Sequence, residues 1–194
     1  RMNIHCSGTH TETASHVIKN APSISDLSNL NFIPSQLISV TPETNSKEEY
    51  HTDINENDKL ITKNQLIEVI ENTDKFLDSI IIRTLPNDKG KKSRNYNTDN
   101  HSFLSNNAIY FLKSKGVRHI VVDTPSIDKF DDAGKLGNHK IFFVNDDESI
   151  NNNTITELAF IPDHCLDGKY FLCIGAPNFN LDAAPSKPII YKII

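Results

Sequence analysis

The chain has 194 residues, 23% of them charged, and 25 acidic against 20 basic side chains give a net charge of −5. That length sits at the upper end of a single domain and buries a core without disulfide staples. An acidic chain with no basic stripe is repelled by phosphate backbones, and no apolar run approaches bilayer-spanning length, so neither nucleic acid nor membrane is an expected partner.

Three cysteines, Cys6, Cys165 and Cys173, form no C-x-x-C pair and no even framework. They read as free thiols, and with no export leader in view the expected compartment is cytoplasmic. The chain opens on Arg1-Met2 and enters its richest motif almost at once, so upstream residues are expected to be missing.

That motif is His5-Cys6-Ser7-Gly8-Thr9-His10-Thr11-Glu12-Thr13-Ala14-Ser15-His16. His10 and Glu12 are two apart, so an extended segment turns both to one face, and His16 shares their parity. Imidazole with carboxylate suits Zn²⁺ or a similar ion, and a carboxylate can bridge two ions. Spacing alone equally allows ordinary polar loop residues.

Residues 21–57 read as loops around one or two strands. Thr62-Lys63-Asn64-Gln65 is a capping box that opens an amphipathic helix carrying Leu66, Ile67, Val69 and Ile70. Ile80-Ile81-Ile82-Arg83-Thr84 reads as a buried strand, and residues 86–100, with almost no apolar content, as a mobile loop. A second helix begins near Ser105 and stops at Gly116. A β-branched strand over 117–123 delivers Asp123-Thr124-Pro125-Ser126-Ile127-Asp128, and later strands are expected at 140–144, 154–161, 170–176 and 188–193. Helix–strand pairs followed by strands predict one mixed α/β domain across the chain.

Other chemistries find little support. There is no Gly-x-Ser-x-Gly elbow and no Gly-rich phosphate loop. His164 with Cys165 and Cys173 fits no zinc spacing, so those thiols read as core.

The ordered blocks resemble the cyclase-family metal-dependent hydrolases, the group of bacterial kynurenine formamidase and isatin hydrolase. Gly8-Thr9-His10-Thr11-Glu12-Thr13-Ala14-Ser15-His16 is similar to the end of H-x-G-T-H-x-D-x-P-x-H. Arg83-Thr84, the 116–128 block, His139, Thr156-Glu157-Leu158, Asp167-Gly168-Lys169-Tyr170 and Asp182-Ala183-Ala184-Pro185-Ser186-Lys187 follow in the family's order.

The resemblance implies a swivelling β/β/α-type α/β domain with a mixed sheet, whose amino-terminal strands have no counterpart here, assembled as a homodimer or homotetramer. It implies His10 and Glu12 as metal ligands, with Glu12 at the family's bridging Asp position, and His139 and Glu157 completing the second ion's shell. His16 becomes the acid/base. Strict register makes Cys6 the first ligand, whereas a one-residue bulge presents His5 instead. Glu148 is the rival of Glu157. Two Zn²⁺ or Mn²⁺ ions and hydrolysis of a C–N bond in a small-molecule amide, formamide or lactam (arylformamidase-like) follow as expectations. The alternative is a non-catalytic binding member, which the Glu12 and Cys6 departures motivate. Substrate-binding residues stay unassigned; Val40, Phe103 and Phe130 are weighed as pocket residues against the commoner core role.

Overall fold

The computed structural model describes residues 3–27, 30–44, 46–70, 76–96 and 100–193. Ten strands run in chain order as β1 His10–Glu12, β2 Ile33–Val40, β3 Leu60–Ile61, β4 Ser79–Thr84, β5 Phe103–Leu104, β6 His119–Val122, β7 Thr154–Glu157, β8 Gly168–Gly175, β9 Ala183–Pro185 and β10 Lys187–Lys192. Three helices join them: α1 Lys63–Val69, α2 Asn106–Ser114 and α3 Gly137–Phe143.

Eight strands form one mixed sheet in the order β10-β8-β2-β4-β6-β7-β1-β9, while β3 and β5 pair separately. The centre, β2-β4-β6-β7, is parallel, and both flanks are antiparallel. A parallel strand covered on both faces reads as a continuous apolar run. The run Ile80-Ile81-Ile82 in β4 is such a strand, with every β4 residue buried. One face of the sheet packs Ile80, Ile82, Ile120 and Val122 against helix residues Leu66, Ile109 and Phe142; the other gathers Leu37, Ile81, Val121 and Leu172.

Local chemistry sets the helix ends. At α1, Thr62 Oγ1 accepts from the Gln65 N–H while Gln65 Oε1 accepts from the Thr62 N–H, the reciprocal box expected from the sequence. At α2, Ser105 Oγ accepts from the Ala108 N–H, and Gly116 leaves the helix at φ 79°.

Three expectations are corrected. Residues 140–143 belong to α3 rather than to a strand, and Val144 follows as its C-cap. The run Lys140-Ile141-Phe142-Phe143 is a buried helix segment, which periodicity over so few residues does not separate from a strand. The described part of the 86–100 loop is anchored: residues 89–92 form a 3₁₀ turn, and Lys91 Nζ donates to Asp123 Oδ2 at 2.8 Å and to Thr84 Oγ1 at 2.9 Å. Residues 97–99 of that loop lie outside the described residues. The strand expected over 154–161 ends at Glu157, where Leu158 takes a left-handed φ of 55°.

Candidate metal centre

The site is built on β1, which is hydrogen-bonded on both sides, to β7 and to β9. Strand alternation turns His10 and Glu12 to one face and Thr11 to the other, where Thr11 Oγ1 meets Thr156 Oγ1 at 2.7 Å. In register, His10 stands opposite Glu157, so a cross-strand pair brings their side chains together. His10 Nε2 lies 3.5 Å from Glu157 Oε2 and 3.9 Å from Glu12 Oε2.

His139 reaches the same point from α3, with Nε2 2.5 Å from Glu12 Oε1 and 3.6 Å from Glu157 Oε1. His5 and His16 close the other side. His5 Nδ1 is 3.1 Å from Glu12 Oε2 and His16 Nε2 is 3.9 Å from it, with the two rings stacked 4.1 Å apart. Asp182 Oδ2 sits behind both, 3.0 Å from His5 Nε2 and 3.3 Å from His16 Nδ1.

The tautomers are fixed by what the outer nitrogens meet. His10 Nδ1 lies 3.0 Å from the Gly8 carbonyl, which can only accept, so Nδ1 carries the proton. His139 Nδ1 lies 2.6 Å from Asp128 Oδ2, with the same consequence. With Nδ1 so occupied, each ring turns Nε2 toward carboxylate oxygens, where a proton or another cation must lie between them. His10 Nε2, His139 Nε2 and Glu12 Oε1 are fully buried and make no well-oriented hydrogen bond, although His139 Nε2 and Glu12 Oε1 approach each other closely. Native proteins rarely leave buried polar atoms so.

The electrostatics carry the same demand for positive charge. Burial pulls the His139 imidazole down, but the charge of Glu12 and the bond to Asp128 outweigh it and raise it well above its ordinary value. His10 is likewise raised, burial being outweighed by Glu157 and Glu12. Burial works against an ionised Glu12, yet His139 above all holds its carboxyl below the usual range. Two ligand groups with mutually close donor atoms, His5-Glu12-His16 and His10-Glu12-Glu157, share Glu12. Nitrogen and carboxylate donors, convergent and lacking other partners, fit divalent cations.

The structure brings together six residues singled out in the sequence: His5, His10, Glu12, His16, His139 and Glu157. It sets the two candidates for the first ligand apart. Residues 4–6 form a 3₁₀ turn, which rotates His5 inward and leaves the Cys6 thiol exposed and in neither ligand group. Glu148 is exposed in the turn after α3, outside both groups. Val40 and Phe103 are buried in the core, whereas Phe130 lines a cavity of about 980 Å³ that opens beside His5.

Sequence reading missed the roles of Asp128 and Asp182. Asp128, buried to 1%, does two jobs at once. Its Oδ1 accepts from the Asn138 N–H at the start of α3 and from the Tyr50 hydroxyl, while Oδ2 holds His139. Its place at the end of the Asp123–Asp128 block, beside a motif histidine, was the available signal.

A mixed α/β sheet thus presents paired imidazole and carboxylate groups, with ligand-type spacing, from a short strand near its edge. The "Putative cyclase" family model matches residues 1–129, and the chain belongs to that family. Among solved structures, the fold is similar to a "potential metal-dependent hydrolase with cyclase activity" (TM-score 0.65, 17% identity, 98% of this chain and 80% of that one). It is also similar to a "predicted metal-dependent hydrolase" from Bacillus stearothermophilus (TM-score 0.62, 20% identity, 98% and 78%). Isatin hydrolase A from Labrenzia aggregata gives a TM-score of 0.63 at 14% identity, over 97% and 73%. No curated protein matches the chain in sequence. No helix among the described residues is long and apolar enough to cross a membrane.

Proposed function

We propose that this chain is a metal-dependent hydrolase that cleaves a C–N bond in a small-molecule amide, formamide or lactam. The observation that carries the reading is the convergence of His10 Nε2, Glu12 Oε1 and His139 Nε2, buried and without a well-oriented hydrogen bond, from two separate elements. The names of the structural neighbours agree with it. His5, His10, Glu12, His139 and Glu157 would hold two ions, Zn²⁺ or Mn²⁺, with Glu12 common to both. Bound there, such ions supply Lewis acidity, bringing water toward ionisation near neutral pH and polarising a carbonyl.

The chain's own residues do the rest. Asp128 fixes the His139 tautomer so that Nε2 faces the cluster, as a carboxylate behind a liganding imidazole does. His16 stands beside Glu12 with Nδ1 on Asp182, which leaves Nε2 to give a proton to the departing nitrogen. The apolar cavity beside His5 accepts a small molecule, and a homodimer or homotetramer remains part of the proposal.

Dialysis against a chelator should abolish turnover of an aryl formamide or lactam, and added Zn²⁺ or Mn²⁺ should restore it. Unchanged turnover in metal-free protein would overturn the reading. His16→Asn should keep ion content and lower the rate; loss of an ion would make His16 a ligand instead.

A further inference from the structure

His101 belongs to neither ligand group, yet its ring lines the same cavity as His5. It stands edge-on to Phe130, with centroids 6.5 Å apart, and edge-on to Tyr96 at 6.3 Å. The Nδ1 atom lies 3.0 Å from the Ser102 carbonyl oxygen and must be its donor. In the neutral ring that leaves Nε2 as a lone pair, with no hydrogen-bond partner among the described residues. Burial lowers the His101 pKa, so the neutral form holds at neutral pH.

We propose that His101 is a specificity-determining residue whose Nε2 accepts a hydrogen bond from the N–H of a planar aromatic amide seated against Phe130 and Tyr96. This rests on the hydrolase reading for the chemistry that follows, but not for the binding itself. A half-buried acceptor facing a cavity discriminates, because a bound ligand that covers it without supplying a donor leaves it desolvated and unpaired. Aromatic neighbours in edge-on contact favour a flat ligand over a chain-like one.

The test uses 2-oxindole and N-methyl-2-oxindole, flat lactams that differ in the N–H alone, titrated calorimetrically into the metal-loaded protein. The N–H compound is expected to bind about tenfold or more tightly. His101→Phe should erase that ratio by weakening the N–H compound, and His101→Gln, which restores an acceptor, should recover part of it. Ion content and thermal midpoint of both variants separate loss of the acceptor from loss of fold. Equal affinities in the unaltered protein, binding of neither compound up to about 1 mM, or an unchanged ratio in a folded His101→Phe would each overturn the proposal. Discrimination without metal-dependent turnover would retire the hydrolase reading and leave this subsite standing; turnover without discrimination would do the reverse.

Discussion

Two buried clusters of histidine and carboxylate lie on either side of Asp128, and they differ in one respect. In the group around Tyr50, His51, Asp128 and Asp132, no buried polar side-chain atom lacks a partner. Tyr50 donates to Asp128 and accepts from the Lys129 N–H, the Gly137 N–H donates to His51 Nε2, and the Leu136 N–H donates to Asp132. In the group around Glu12, three buried atoms lack one. His51, Asp128 and Asp132 also bring donor atoms close together, and the adjacent Thr52 Oγ1 lacks a partner. The buried atoms of those three residues are nevertheless tied up in a hydrogen-bonded brace, whereas those around Glu12 form an open ligand set. Residue composition does not distinguish them; the fate of each lone pair does.

The largest effect should come from Glu12→Gln, which weakens a ligand shared by both groups. Bound ion measured by elemental analysis should fall, and turnover should drop about a thousandfold or more. Full ion content in that variant would remove Glu12 from its bridging place. Asp128→Asn, at the boundary of the two clusters, should lower metal affinity about 10–100-fold as judged by competition with a chromophoric chelator. An effect on thermal stability alone would make Asp128 only a cap for α3.

In the closed brace, His51→Gln should lower unfolding stability by about 1–2 kcal/mol in denaturant titration while ion content stays the same. Gly137 offers a harsher version, since a Cβ there would overlap the His51 ring. A third buried imidazole calibrates both. His119 Nδ1 meets Thr154 Oγ1 at 2.8 Å, and burial, then the charge of Arg118, depresses its pKa to about 4. The unfolded ring titrates near 6.5, so only the unfolded chain binds a proton between these values. Its share of stability is complete above about pH 6.5 and is lost as pH falls toward 4. His119→Asn should flatten that part of the stability–pH curve. A curve of the same slope would show that other groups set it.

Much of this was legible in the sequence. The reciprocal box at Thr62, the stop at Gly116 and the apolar run of β4 each follow from local rules that tertiary context left in place. The order of motif blocks singled out His5, His10, His16, His139 and Glu157, which the fold brings around Glu12. Three features were not legible. Lys140-Ile141-Phe142-Phe143 is buried in a helix, where neither alternation nor a helical stripe shows. The choice between Cys6 and His5 turned on a single turn of 3₁₀ helix, a rotation that residue spacing does not encode. Lys91 looked like part of a solvated loop, because its partner Asp123 lies 32 residues away at the end of another strand.

One consequence of β1 concerns how the protein is made. This strand is three residues long and starts at His10, yet its hydrogen-bonded neighbours are Thr154–Glu157 on one side and Ala183–Pro185 on the other. So short a ribbon has no order of its own and waits for both. During synthesis, His10 and Glu12 therefore stay unordered until residues through Pro185 have emerged, and the side chains around Glu12 assemble only once the strands on both sides of β1 are in place.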